Sequence, residues 1–393
     1  MKDLKHLIYF ENLLSEANNE LVRQAISEGK KAIGYTCFYV PEVLLELGDA
    51  FSVLLRAPRC ETSDIATYYM TARTCPYSRS ILERALEGGY SFLSGVIGTE
   101  SCAQIERMHE HFDVINAIGS ENCFKTIMDT PMKYDDSNLN YYIVQARKNI
   151  LKPMNENYGI DISDASIRKT IESHNEKCRV ITEIGSFRKL DNPPITGYEF
   201  HVLQLISETC PWYLVRDKML ETLEEIKNRE CEEKFPFRAR VVLVGSENDE
   251  PEFTKLIESC GAMVVADRYC YGSFPGREEI EIKDGEDALT AVCRHYLYWI
   301  QCARFFDDFK RRQRITEVHR LAEEFKADGI IYTSMKFCEL WTYEKVIAPQ
   351  ILSRECSVPC CTIEKEYTLG GAGQLRTRIQ ALVESLEIKK INS

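Results

Sequence analysis

Six cysteines stand where a thiolate could serve as a metal ligand. Cys37, Cys60 and Cys102 close apolar runs in the first part of the chain, and Cys270 and Cys338 close similar runs in the last third. Cys75 differs, because it precedes Pro76 at a predicted helix start, where the helix dipole favours a thiolate. A thiolate is a soft donor that suits zinc or iron–sulfur centres. The chain has 16 cysteines and no C-x-x-C pair, which argues against a zinc ribbon or a ferredoxin-like run. Any metal site must therefore be assembled by the fold from cysteines distant in sequence.

The elements around these thiols set the expectation. "KKAIGYT" (30–36) reads as a buried strand that leads to Cys37. "PEVLLELG" (41–48) reads as a short helix, with proline in its first turn and glycine at its end. "AFSVLLRAPRC" (50–60) and "SFLSGVIGTESC" (91–102) read as further strands that end in cysteine, and "FDVINAIG" (112–119) as a fourth strand. Residues 163–235 carry helical periodicity, broken at Pro193–Pro194. The α/β pattern then resumes: "RARVVLVGSEND" is a strand, "PEFTKLIESCG" a helix and "AMVVADRYC" a strand to Cys270. "ADGIIYTSMKFC" is a strand to Cys338, and "SVPCCTIEKEY" is the last strand.

The two α/β segments repeat one order. Each runs strand, Pro–Glu helix, glycine, strand; "FLSGVIGTESC" then parallels "ADGIIYTSMKFC". The fold class expected is α/β, with two Rossmann-like doubly wound domains of parallel sheet joined by a helical segment. The boundaries are residues 1–160, 161–235 and 236–393. In open parallel sheets, ligands bind beyond the carboxyl ends of the strands, so two such units facing each other bring the six thiols to one cleft. Gly245–Ser246 stands where the second unit would carry an equivalent of Cys37. The other cysteines read as small buried hydrophobes: Cys123, Cys178, Cys210, Cys231, Cys260, Cys293 and Cys302 at helices or their edges, and Cys356, Cys360 and Cys361 by the last strand.

Composition narrows the function classes. The 393-residue chain is long enough for two or three domains. Its net charge is −12 without a basic block, which argues against nucleic acid. No apolar run is long enough for a membrane span, and the N-terminus lacks a signal-type core. The expectation is a cytoplasmic protein. No G-x-S-x-G supports a serine hydrolase. His109 and His111 read as surface residues on the helix after Cys102.

"GYTCFYVPE", "RTCPYSRS", "FLSGVIGTESCAQIERM", "KFCELW" and "GQLRTRIQALVESLE" together resemble the 2-hydroxyacyl-CoA dehydratase and benzoyl-CoA reductase family, over residues 30–387. The resemblance implies Rossmann-like domains with a low-potential iron–sulfur cluster between them. It also implies an ATP-hydrolysing iron–sulfur activator protein that delivers single electrons under anaerobic conditions. The three cysteines of a typical dehydratase subunit fall on Cys75, Cys102 and Cys338, and would hold a 4Fe–4S cluster with one iron open. The double-cubane branch is more similar still. Its additional cysteines fall on Cys37, Cys60 and Cys270, which gives six thiolates for an 8Fe–9S cluster. Ala103 and Glu339 stand where family subunits often carry aspartate after the second and third ligands.

The resemblance thus implies an activator-dependent reductase of small molecules, in homodimeric form. Its alternatives are a dehydratase or benzoyl-CoA reductase subunit paired with a related chain, or a non-catalytic electron-transfer protein. Glu100 and Glu366 are the candidate proton donors. The Gly-rich "LGGAG" before the last helix could approach a cluster or bind an anion.

Overall fold

The structure, a computed structural model, describes residues 3–230, 237–272, 277–368 and 371–392. Two four-stranded, wholly parallel sheets carry the fold. The first comprises β1 (Lys31–Tyr35), β2 (Ala50–Leu54), β3 (Gly95–Thr99) and β4 (Phe124–Met128), in spatial order β2-β1-β3-β4. The second comprises β5 (Ala239–Gly245), β6 (Ala262–Tyr269), β7 (Gly329–Met335) and β8 (Cys360–Lys365), in order β6-β5-β7-β8. The two orders are identical, so the repeat seen in the sequence is a repeat of topology. β2, β3, β5, β6 and β7 are buried along their whole length. Helices on both faces require this of a parallel sheet, and it explains why these strands read as continuous apolar runs.

The helices between the sheets start from local signals. Ser163 caps the helix Asp164–Ser186, and Thr196 with Glu199 forms a capping box at Gly197–Thr209. The second of these helices is buried all round. It packs against the helix Pro251–Ser259 and against both β2 and β6, so it lies as a wedge between the sheets. That position accounts for its lack of a polar face. A single hydrophobic core runs from the first sheet through this wedge into the second, and a smaller one fills the space between the second sheet and the helix Ala372–Asn392.

Three elements differ from the sequence reading. "FDVINAIG" is not a strand: Phe112 belongs to the helix Ala103–Val114, and β4 begins at Phe124. Phe112 is buried with Ile105, Met108 and His109 at helical spacing, and that face outweighs the short apolar run. "PEVLLELG" forms a 3₁₀ turn over Glu42–Glu46. β2 stops at Leu54, short of Cys60. Beyond it Arg56 turns its side chain across to the second unit, Pro58 offers no N–H to a ladder, and Arg59 is left-handed at φ 60°.

The carboxyl ends of the two sheets face each other, and the contacts across that seam are specific. Arg56 donates to the Asp249 carbonyl at 3.1 Å, and the Ala57 amide donates to the Tyr367 hydroxyl at 3.0 Å. The Tyr77 and Tyr271 hydroxyls meet at 3.2 Å, and the Gln104 amide donates to the Phe337 carbonyl at 2.8 Å. Arg304 reaches back to the carbonyls of Thr130 and Pro131 at 2.9 and 2.8 Å.

Beneath the first sheet lies a second polar cluster, remote in kind from the thiols. Glu42, Glu46 and Glu208 surround one buried cation, Lys177, at 3.7 Å from Glu46 and 4.0 Å from Glu208. His174 stands 3.6 Å from Glu42 and 3.3 Å from the Cys178 sulfur. Tyr296 donates to the other Glu42 oxygen, Tyr35 donates to Glu208, and the buried His295 lies beside Tyr296. Burial pushes Glu42 up to about 8, against the pull of Lys177, and burial holds His174 neutral. The folded chain thus keeps a proton on Glu42 that the unfolded chain releases above its ordinary value. Stability from this group is full at low pH and declines as pH rises toward 8, by up to about 1.4 kcal/mol per pH unit. Glu42→Gln fixes the neutral form. Thermal melting between pH 5 and 8 should therefore slope down less in that variant than in the parent chain; equal slopes would contradict this protonation state.

Candidate metal centre

Cys37 lies two residues beyond β1 and Cys102 three beyond β3. Cys75 and Cys102 are the N-caps of the helices Pro76–Leu86 and Ala103–Val114, and Cys338 that of Glu339–Glu355. Cys270 follows β6 directly. Two of these loops carry backbone strain. Tyr271, after Cys270, and Phe337, before Cys338, are left-handed at φ 63° and 62°. Each such residue costs about 1–3 kcal/mol, and strain of this kind collects at functional sites.

The fold brings five of the six sequence-derived thiols together. Cys75, Cys102 and Cys338 are close enough to oppose one another's ionisation. Cys270 feels Cys37 and Cys338 in the same way. One carboxylate, Glu247, just past the end of β5, acts electrostatically on all five. Cys60 is placed elsewhere. Its sulfur lies 2.9 Å from the Thr62 carbonyl, and its charged neighbours are Arg84, Glu87 and Glu83. It sits apart because β2 ends six residues too early to deliver it to the seam.

Cys302 joins the group in its stead. It lies between the helices Ala288–Trp299 and Asp308–Glu324, and it acts on Cys37 and Cys270 and feels Glu247. Neither Cys302 nor Glu247 was marked by the sequence. Cys302 follows no strand, and Glu247 lies in "GSENDE", which reads as an ordinary polar turn.

The environment of these thiols is dry and rich in backbone donors. Burial is the largest influence on each. It pushes Cys37 and Cys75 up to about 12 and Cys302 to about 11. Working against burial, the amides of Ser78 and Tyr77 favour the thiolate of Cys75. Those of Ile105 and Gln104 do so at Cys102, Trp341 at Cys338 and Tyr39 at Cys37. Burial likewise raises Glu247 to about 7, and its carboxyl is hydrogen-bonded to Cys270. The Gln104 carbonyl oxygen accepts from the Cys75 amide while its nitrogen bonds Phe337, which ties the Cys75 loop to the Cys338 loop across the seam.

His109 is buried and not a surface residue. Its Nε2 lies 2.9 Å from the Thr36 hydroxyl, beside Cys37. Gly98 makes the room, since a Cβ there would lie 2.5 Å from the imidazole. The two candidate proton donors are exposed: Glu100 lies beside Asp129, and Glu366 pairs with Lys336 at 3.0 Å. Glu247, rather than either of these, stands among the thiols. Leu369 and Gly370 of "LGGAG" lie outside the described residues, as does Cys231. Among the described residues, no three His, Cys, Asp or Glu side chains converge on a point that would hold a single metal ion. The spread of six soft donors around one dry seam suits a polynuclear iron–sulfur group, whose ligands bind separate irons.

A parallel-sheet protein with thiols at the carboxyl ends of two facing units defines the class, and comparison with known proteins gives the family. Residues 37–386 match the 2-hydroxyglutaryl-CoA dehydratase, D-component family, and the chain belongs to it. It is 26% identical over 382 residues to the (R)-phenyllactyl-CoA dehydratase beta subunit of Clostridium sporogenes, covering 96% of this chain and 97% of that one. It is 23% identical to the (R)-2-hydroxyglutaryl-CoA dehydratase subunit beta of Acidaminococcus fermentans, covering 92% and 93%. To the lactoyl-CoA dehydratase subunit beta of Anaerotignum propionicum it is 22% identical, covering 91% and 92%. No helix among the described residues is long and apolar enough to cross a membrane.

Proposed function

We propose that this chain is a low-potential iron–sulfur reductase that holds a double-cubane cluster at the seam between its two α/β units. In this reading an ATP-hydrolysing activator protein feeds it single electrons, and it works as a homodimer on small molecules. The observation that carries the reading is the gathering of more than three thiols around Glu247, since an ordinary dehydratase cubane needs Cys75, Cys102 and Cys338 alone. The cluster would supply electrons one at a time at low potential. The chain's own residues supply the rest. Backbone amides at three helix starts compensate thiolate charge, the buried seam keeps water away, and Glu247 is the carboxyl that faces the site.

The second reading, a dehydratase subunit with one three-cysteine cluster and a related partner chain, is favoured by the names of the relatives, which are beta subunits. Iron and acid-labile sulfide analysis of anaerobically purified protein separates the two. About eight irons per chain are expected for the double cluster and about four for the single one. Cys338→Ala should remove most of the iron under either reading. Cys37→Ala should reduce it only under the first, and unchanged iron in that variant would sink the double-cubane assignment.

A further inference from the structure

We propose that the sixth thiolate of the cluster is Cys302 and not Cys60, so that Cys37, Cys270 and Cys302 hold one cubane and Cys75, Cys102 and Cys338 the other. The inference rests on the double-cubane reading above and assigns its ligands.

The thiols at the seam fall into two trios. The loops of Cys75, Cys102 and Cys338 meet at Gln104, which accepts from the Cys75 amide and donates to the Phe337 carbonyl at 2.8 Å. The loops of Cys37, Cys270 and Cys302 meet through rings: Phe38 lies 5.4 Å from Tyr271, Tyr39 lies 6.0 Å from Phe305, and Arg304 stands 5.4 Å over the Tyr39 ring. The trios touch through Cys270 and Cys338, and Glu247 is common to all six. Each unit then supplies three ligands. The first gives two to one cubane and one to the other, and the second does the reverse.

The hydrogen bonds separate Cys302 from Cys60 independently of proximity. The Arg304 amide donates to the Cys302 sulfur at 3.5 Å, as a backbone N–H does toward a ligating thiolate. The Cys60 sulfur lies instead 2.9 Å from the Thr62 carbonyl oxygen, which a protonated thiol bonds and a thiolate does not, and the bond that favours its thiolate comes from the Ser80 side chain and not from a backbone donor.

The Cys302 loop is also held rigidly. Arg304 clamps it to the Thr130 and Pro131 carbonyls of the first unit. Arg314 donates to the Cys302 carbonyl at 3.2 Å while its guanidinium is paired with Glu344 at 2.9 Å. Both arginines offset charge at the Cys302 sulfur. On ligation the Cys302 thiol releases its proton to solvent and its sulfur donates an electron pair to one iron, with no change of oxidation state.

The test uses the full chain, reconstituted anaerobically with ferrous iron and sulfide. Iron, sulfide and the visible and paramagnetic-resonance spectra are compared among the wild type, Cys302→Ala and Cys60→Ala. The wild type and Cys60→Ala should carry about eight irons, while Cys302→Ala should lose about half or more together with the double-cluster spectrum. Cys302→Ala at the wild-type level overturns this assignment alone. A wild type with about four irons overturns the double-cubane reading itself. Should Cys302→Ala fail to fold, alkylation by iodoacetamide in the wild type decides: Cys302 should be modified in the metal-free chain and protected in the loaded one. Equal modification in both overturns the assignment.

Discussion

Arg56→Met should destabilise the chain by about 3–5 kcal/mol, the cost of removing one partner from a buried ion pair. Arg56 is 2% exposed and lies at the centre of the seam. It donates to the carbonyls of Asp249 and Leu14 at 3.1 Å each, and its guanidinium stands 3.6 Å from the Asp249 carboxylate and 3.8 Å from that of Glu250. Burial opposes its charge, but Glu250 and Asp249 more than restore it. Methionine fills similar volume and leaves Asp249, itself fully buried, with the Tyr367 hydroxyl and the field of the buried Lys365 but without its guanidinium partner. Denaturant titration of the metal-free protein measures the loss. A change below about 1 kcal/mol would show that the acidic pair is already protonated or solvated. Because Arg56 ties the first unit to the second, the variant should, in the proposed iron–sulfur reading, also retain less iron.

Gly245→Ala is expected to cost at least about 4 kcal/mol, at the upper end of single substitutions. Gly245 ends β5 with φ 154°, and a Cβ there would lie 2.1 Å from the Thr333 carbonyl oxygen and 2.3 Å from its hydroxyl. Neither atom can retreat, because Thr333 is on the adjacent central strand β7 and pairs with Gly245 itself. The same turn places Ser246, whose hydroxyl accepts from the Met335 amide at 2.7 Å, and then Glu247. Forcing β5 from β7 would therefore shift both Glu247 and the approach to Cys338. Gly371→Ala provides the control, since nothing lies within 4 Å of a Cβ there. It should change stability by less than about 0.5 kcal/mol. Similar losses in both variants would show that the close approach at Gly245 is readily relieved.

Much of this architecture was legible in the sequence because it is local. Apolar strand runs, the Pro251–Glu252 helix start and the cysteines at strand ends each lie within a dozen residues of chain. Hence two parallel sheets, their shared order and five of the gathered thiols could be read. The misreadings have the same root. Cys60 follows an apolar run, but the run outlasts the strand, and only the sheet register shows that β2 stops at Leu54. Cys302 follows no strand and lies in a connection whose position is fixed by Arg304 and Arg314, contacts to residues far away in sequence. Glu247 appears ordinary until the second unit is set against the first. His109 reads as a surface residue because its burial depends on Gly98 in the neighbouring strand, a partnership between helix and sheet that helical periodicity does not encode.

The dispersal of the thiols along the chain has a consequence for biogenesis. Cys37 leaves the ribosome early and Cys338 late, with the wedge helices made in between. In the double-cubane reading proposed above, neither trio is complete until the second unit has been synthesised, folded and docked on the first. No nascent chain, proteolytic fragment or half-folded intermediate would then present the full ligand set. Cluster insertion would come after folding, and iron loading would report that the two halves are correctly joined.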